Sequence, residues 1–256
     1  MFHNPQEPMF WNKKKSPVTP EDEEWLISSF NWFQQTFNIN LKEQEVYTPT
    51  TDFIGFKYQG KEDDVLALVN LIADKMNVEK SSSINVYFFE EFQPMEFTDE
   101  AVTANYEEGS RLTNGRYTKL VDGKYEIGIE RTLMKNPISL IATIAHEIAH
   151  IKLLGEETIE ENDEPLTDIT ASLFGFAIFL ANSSLARMTT WSGNTHTGWR
   201  IGGGAGYLHH KLYAFLLGYW LTKKEQTNPA WFEYLDKDIR SDVKKTLRYL
   251  ETKEGS

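Results

Sequence analysis

The feature that most constrains this chain is the apolar segment at residues 136–155, which carries helix signals at both ends. Asn136 and Pro137 open it, and asparagine caps helices while proline fits their first turn. Gly155 follows Leu154, and glycine commonly ends a helix. Isoleucines recur between them at helical spacing, which predicts a helix with one buried face: Ile141, Ile144, Ile148 and Ile151. The rest of the fold must cover that face.

The opposite face of this helix is polar and contains the sequence HEIAH at residues 146–150. His146 and His150 are one turn apart, so both imidazoles project from the same face. Catalytic zinc sites need such a pair, a third protein ligand and an open position for water. Glu147 stands beside the first histidine, where a carboxylate can act as general base toward that water. The pattern predicts a site for one zinc ion.

The remaining periodicity predicts an α+β fold, with a small mixed sheet followed by a helical C-terminal half. We predict residues 1–19 as a flexible lead-in and residues 20–256 as a single domain, with an α/β part over about 20–135 and a helical part over about 136–256. The predicted helices are 20–37, 63–76, 136–154, 165–182, 207–222 and one or two within 229–251. The predicted strands are 45–48, 52–58, a buried strand at 84–89, and a hairpin of 116–121 with 124–130. Residues 92–114 and 187–206 are predicted as loops.

Composition excludes several classes of site and partner. The chain has 256 residues, no cysteine and a formal net charge of -12. Thiolate metal sites and disulfides are therefore excluded, and an acidic surface repels the phosphates of nucleic acid. The longest apolar stretch, 169–180, is too short for a membrane span, and the N-terminus lacks an apolar core of signal-peptide length. We predict a cytoplasmic protein with no membrane span and no nucleic-acid partner.

The strand at 125–130, the HEIAH helix and the helix after it resemble the zincin metallopeptidases. Within that superfamily the sequence is similar to the gluzincin branch and to ImmA/IrrE-like intracellular proteins, whose second helix carries a Glu followed four residues later by Asp or Asn. This chain has Glu164 and Asp168 at that spacing. The resemblance implies a zincin-like fold, zinc bound by His146, His150 and Glu164, and Asp168 behind a ligand histidine.

The identity of the third ligand stays open at the level of sequence. Pro165 disfavours helical geometry for Glu164, which then caps the second helix instead of lying within it. In that case Asp168, one turn further on, is the alternative third ligand. We favour Glu164. The other acidic residues between the two helices are interpreted as a solvated loop.

Zincins often place a Tyr or His opposite the metal to stabilise the oxyanion, and Tyr207 and His210 are the candidates here, with His209 and His196 nearby in sequence. A peptide substrate is expected along an edge strand of the sheet, for which we favour residues 124–130. The apolar C-terminal helices could also provide a surface for a protein partner.

The sequence therefore predicts a zinc-dependent metallopeptidase in which Glu147 is the general base. Two alternatives remain. The protein could be a non-catalytic regulatory or binding protein on the same fold. It could also be a toxin or defence effector protease with one narrow target.

Overall fold

The computed structural model describes residues 15–78, 83–90, 96–98, 101–103, 115–121, 123–190, 196–201 and 208–254. These residues form an α+β fold with a small three-stranded mixed sheet and a largely helical remainder, as the sequence predicts. The helices are α1 (Pro20–Phe37), α2 (Thr51–Ile54), α3 (Glu62–Lys75), α4 (Pro137–His150), α5 (Glu164–Ala171), α6 (Ala177–Ser183), α7 (His210–Lys223) and α8 (Lys237–Glu254). The strands are β1 (Ile84–Phe89), β2 (Glu96–Thr98), β3 (Ala101–Thr103), β4 (Gly115–Lys119), β5 (Tyr125–Glu130), β6 (Leu185–Thr190) and β7 (His196–Ile201).

Helix α4 lies at the centre of the fold. Asn136 caps it by accepting a hydrogen bond from the backbone N–H of Ser139 at 3.2 Å, and Pro137 is its first residue. After His150 the helix continues as a π-helical turn, Ile151–Gly155. Every residue from Leu140 to Leu153 is buried, so α4 is covered on all sides and not only on its isoleucine face.

The second apolar helix is interrupted where the sequence predicts a continuous one. A π-helical turn, Ser172–Phe176, separates α5 from α6, and Gly175 within it has φ +113°. An L side chain rarely adopts that backbone conformation, which explains the glycine. The chain bends at this non-helical residue, and Tyr47 donates its backbone N–H to the Gly175 carbonyl at 2.9 Å.

The main sheet has the order β1-β5-β4, with β1 parallel and β4 antiparallel to β5. The predicted hairpin is therefore confirmed as β4 and β5. The prediction that residues 124–130 form an edge strand is wrong, because β5 pairs on both sides. Among the described residues, the edge strand beside α4 is β4. Strand β1, predicted as buried, is the other edge in that part of the chain and is only partly buried.

Two strands predicted in the N-terminal half are absent from the structure. Residues 45–48 form no strand, although Tyr47 packs against Phe53 and Phe176. Within residues 52–58 the structure has the short helix α2, capped by Thr50 and ended by Gly55 at φ +74°. Alternating apolar residues here follow packing against the helices and not pairing with a neighbouring strand.

Two predicted loops contain strands. β2 and β3 pair antiparallel within residues 92–114. β6 begins two residues before the second predicted loop, at Leu185, and pairs antiparallel with β7 inside that loop. The other residues of the first predicted loop, and residues 191–195 and 202–206 of the second, lie outside the described part of the chain.

Two helical segments, Pro137–Gly155 and Glu164–Ser183, are long and apolar enough by composition to cross a membrane. In this fold 83% and 89% of their apolar windows are buried inside the protein. Burial in a core accounts for their apolar character, so the segments give only weak evidence for a membrane location. The cytoplasmic location stays a prediction.

The apolar faces of the C-terminal helices are also covered. Tyr213, Phe215 and Trp220 of α7 are buried, as are Ile239 and Val243 of α8. Among the described residues the exposed large apolar side chains are Leu66 and Val121, which lie on neither helix. These helices therefore pack mainly against the rest of the fold, and a protein partner for them stays a prediction.

Candidate metal centre

Helix α4 presents His146, Glu147 and His150 on the side that faces β4 and α5. All three side chains are buried, with 8%, 6% and 6% of the residue exposed. The two imidazole Nε2 atoms lie 3.1 Å apart, and the rings meet nearly edge to face. The spacing within HEIAH thus brings two ring nitrogens to one point, as predicted from helical geometry.

Helix α5 brings the third donor to that point. Glu164 Oε2 lies 3.0 Å from His146 Nε2 and 3.3 Å from His150 Nε2. Asn162 donates its side-chain N–H to the other Glu164 oxygen at 2.8 Å. Both carboxylate oxygens are thereby engaged, one at the histidines and one at the loop.

Glu164 is not the N-cap of α5, although Pro165 directly after it suggests that position. Asp163 is the N-cap of α5 and accepts from the backbone N–H of Leu166 at 2.9 Å, so Glu164 is the first helical residue. Asp163, interpreted as part of a solvated loop, therefore has a structural role. The proline occupies the second helical position, where its missing N–H has no partner to lose.

Asp168 lies on the far side of His146. Its Oδ1 accepts from His146 Nδ1 at 2.8 Å, and its Oδ2 accepts the backbone N–H of Leu208 at 2.9 Å. The hydroxyl of the buried Tyr213 faces the same carboxylate; burial and this negative charge raise the pKa of Tyr213 well above its ordinary value. Asp168 thus contacts the histidine nitrogen that points away from Glu164, which is the geometry of an orienting carboxylate and not of a third ligand.

His146, His150 and Glu164 each offer one atom within 4.8 Å of the others, so this group could bind a metal ion. Two imidazole nitrogens and one carboxylate oxygen form a donor set that suits zinc and several other divalent transition metals. Asp168 fixes the tautomer of His146, because a carboxylate that accepts at Nδ1 leaves the Nε2 lone pair free to bind a cation.

The electrostatics of the cluster favour a positive charge at its centre. Burial alone lowers the pKa of His146, but its hydrogen bonds to Asp168 and Glu164 outweigh burial and raise it to about 10. Burial raises the pKa of Glu164, but its hydrogen bonds to the two histidines hold it well below its usual range. Burial also raises the pKa of Glu147. A proton or a metal ion can supply the charge that these carboxylates stabilise.

Comparisons with protein-family models, with curated proteins and with solved structures return no match for this chain.

Strand β4 closes one side of the cluster. A Cβ on Gly115 would overlap Glu147 Oε1 and would lie 2.7 Å from Thr143 Cγ2, so the strand backbone approaches α4 closely here. Two positions further along, the Tyr117 ring stacks on His150. Burial raises the pKa of Tyr117 to about 12, so its hydroxyl is neutral. Gly115 thus leaves space for the Glu147 carboxylate.

The residues predicted as possible oxyanion donors, Tyr207 and His210, and the nearby His209 and His196, are not found at the candidate metal site in the described part of the chain. Tyr207 lies outside the described residues, as do the side chain and surroundings of His196. His210 begins α7, and its Nε2 lies 3.7 Å from Asp242 of α8, while His209 caps the same helix through its Nδ1. No contact between His210 and the group of His146, His150 and Glu164 is seen in the described part of the chain. The catalytic role of His210 stays a prediction.

Several residues of the site were not predicted from the sequence. Asn162, Tyr117, Gly115 and Tyr213 contact Glu164, His150, Glu147 and Asp168 respectively. No local signal identifies the first three, because each reaches the site through the folding of another segment against α4. Tyr213 carries a weak signal, a polar tip within an apolar helix.

Proposed function

We propose that this protein is a zinc-dependent hydrolase, most specifically a metallopeptidase. The observation that carries the proposal is the convergence of His146 Nε2, His150 Nε2 and Glu164 Oε2 on one point, with the buried Glu147 carboxylate on the adjoining turn of α4. A purely structural zinc site is normally closed by four protein ligands. Among the described residues this group offers three, the number that catalytic zinc sites use.

Zinc bound by these three residues would supply a Lewis acid that polarises a substrate carbonyl and acidifies a water molecule. His146 and His150 would hold the ion through Nε2, and Asp168 keeps the proton of His146 on Nδ1. Glu147 would accept the proton of the attacking water at its carboxylate and then deliver it to the departing amine nitrogen. Glu147 is buried beside the two histidines, so its carboxylate lies within reach of a water held at the point where their Nε2 atoms meet.

Strand β4 supports a peptide as the substrate class. In the order β1-β5-β4 its outer edge has no strand partner among the described residues, and Gly115 places its backbone against Glu147. An extended peptide can hydrogen bond to such an edge and bring its carbonyl to an adjacent catalytic group. We therefore propose β4, and not residues 124–130, as the strand that pairs with an extended peptide substrate.

The test is metal content by mass spectrometry of the purified wild type and of His146→Ala, Glu164→Ala and Asp168→Ala. The proposal expects one zinc per chain in the wild type, loss of zinc in the first two variants, and weakened but measurable binding in the third. A peptide library then tests hydrolysis, with Glu147→Gln as the control that keeps zinc and loses turnover. A wild type that binds no zinc after incubation with it would contradict the proposal.

The same control separates the alternatives. A regulatory or binding protein would keep its function in Glu147→Gln, because that variant retains the fold and the ligands. An effector protease with one target would show no cleavage of a general library, but its expression would harm cells unless Glu147 is changed.

A further inference from the structure

The rings of His146 and His150, the two histidines of the candidate metal site, are oriented by different contacts. His146 has Asp168 at Nδ1. The Nδ1 of His150 is buried and has no hydrogen-bond partner among the described residues. A metal-binding histidine usually donates from its second nitrogen to a carboxylate, a carbonyl or water, which fixes the plane of the ring. Contacts with the faces of the ring can also fix its plane.

Two aromatic contacts define that plane. The Tyr117 ring lies nearly parallel to the His150 imidazole, with 5.7 Å between ring centroids and 16° between the planes. The His146 ring meets His150 from another direction, at 4.7 Å and 85°. Offset stacking at this separation is favourable, and it restricts rotation of the imidazole about χ2.

Tyr117 is itself fixed by the fold. It lies in β4 opposite Ile127 of β5. Gly155 leaves space for the Tyr117 hydroxyl and the Tyr125 ring, since a Cβ there would lie 3.1 Å from the first and 2.7 Å from the second. The Tyr117 hydroxyl is buried and has no hydrogen-bond partner within the described residues. The ring, and not the hydroxyl, is therefore the part of Tyr117 that contacts the site.

We propose that Tyr117 is a positioning residue for His150, and that its ring replaces the carboxylate that orients His146. The proposal rests on the proposed function, because it assumes that His150 is a metal ligand. In this proposal strand β4 has two roles: its edge pairs with a peptide substrate, and its residue Tyr117 orients the ligand His150. Tyr117 acts only through His150 and touches no substrate in this role.

The experiment measures zinc affinity by competition with a chromophoric chelator, and the visible spectrum of the Co²⁺-substituted protein. Tyr117→Leu and Tyr117→Ile remove the ring. Both are made so that the test can still be carried out if one of them does not fold. Tyr117→Phe keeps the ring and removes the hydroxyl. Tyr125→Leu is the matched control, since Tyr125 lies 6.3 Å from Tyr117 and packs against the same glycine. Circular dichroism and thermal unfolding of the metal-free proteins check that each is folded.

We expect the aliphatic Tyr117 variants to bind zinc about three- to tenfold more weakly than wild type, the range that a lost ring contact implies. Their Co²⁺ spectra should shift as the geometry of the ligands relaxes. Tyr117→Phe and Tyr125→Leu should stay within about twofold of wild type, because neither removes the ring that contacts His150.

Three results would overturn the proposal. Unchanged zinc affinity and spectrum in the folded aliphatic variants would remove the role of Tyr117 and leave the zinc site intact. Equal weakening in Tyr125→Leu would assign the effect to general packing. A wild type that does not bind zinc would overturn both this inference and the proposed function. The first two results differ from this one because the wild type still binds zinc.

Discussion

Asp168 and Glu164 contact the same imidazole from opposite sides: Asp168 Oδ1 lies 2.8 Å from Nδ1 of His146, and Glu164 Oε2 lies 3.0 Å from its Nε2. One turn of α5 separates the two acids. The first residue of the helix reaches the point where both histidines meet, and the residue one turn later reaches behind the ring. The two carboxylates therefore occupy different positions at the histidine, from which we predict different roles.

Exchange of Asp168 should weaken metal binding without abolishing it. Asp168→Ala removes the acceptor for His146 Nδ1 and for the Leu208 backbone N–H, so the ring loses its orientation. We expect zinc affinity to fall by about 10- to 100-fold, the usual effect of removing such a partner. Glu164→Ala should lower the zinc affinity far more, because it removes a proposed ligand. Chelator competition measures both, and equal losses would contradict the separate roles.

Glu147→Gln should keep zinc and lose hydrolysis. The amide has nearly the same shape as the carboxylate but cannot accept a proton from water. We expect turnover to fall by at least about 100-fold, as loss of a general base typically produces. Zinc content and cleavage of a peptide library, measured on the same preparation, check this. Full activity in the variant would remove Glu147 from the proposed mechanism.

Gly115→Ala should disturb Glu147 and leave the zinc ligands in place. The added methyl group would overlap Glu147 Oε1 and contact Thr143, neither of which is a proposed ligand. We expect zinc content to stay the same while the rate falls by about tenfold or more, since a misplacement near 1 Å can have such an effect. Thr118→Ala, at an exposed position of the same strand, is the control that should show neither change.

Gly175→Ala should destabilise the fold at the junction of α5 and α6. The position combines φ +113° with a close approach, since a Cβ would lie 2.7 Å from the Glu45 carbonyl oxygen. We expect the free energy of unfolding to fall by about 2–6 kcal/mol, the sum of backbone strain and overpacking. Gly55→Ala is the control: its φ is +74°, but no atom lies within 4 Å of a Cβ there. A urea titration that shows the same loss for both would exclude the close contact as a cause.

A buried carboxylate far from α4 in sequence should make stability depend on pH. Glu23 of α1 accepts hydrogen bonds from Lys253 at 2.7 Å, from Ser16 at 2.7 Å and from Tyr249 at 3.0 Å. Burial raises the pKa of Glu23, but these bonds outweigh it, so the net pKa is lowered from its ordinary value of 4.5.

Because the folded pKa lies below the unfolded one, the contribution of Glu23 is present above the unfolded value and is lost as pH falls through the folded value. Glu23→Gln should therefore reduce the free energy of unfolding near neutral pH, and the difference from wild type should shrink in acid. Since the side chain of Lys253 is 59% exposed, we expect only about 1 kcal/mol at neutral pH. Urea titrations of the metal-free proteins at several pH values test it, and a constant difference would contradict the lowered pKa.

Local signals were sufficient for α4 and for the β4–β5 hairpin. A cap and a first-turn proline define where α4 begins, and the 3.6-residue period places both histidines of HEIAH on one face regardless of what packs around them. The hairpin follows from two alternating segments around a glycine turn, where Gly123 has φ +78°. Short-range backbone geometry decides these features, so the sequence alone determines them.

Tertiary packing decided the rest. Which strand is an edge depends on where β1 joins, a pairing between segments far apart in sequence, and so residues 124–130 became the central strand. The segment around Tyr47 has the β-branched and aromatic residues that are common in strands, but Tyr47 packs against Phe53 and Phe176 instead. Glu164 and Asp168 have the same chemistry, and only the path of α5 across α4 assigns one to the histidine nitrogens at the centre and the other behind the ring. The sequence thus determined the donor residues that α4 presents, while long-range packing, which no local pattern encodes, decided what surrounds them.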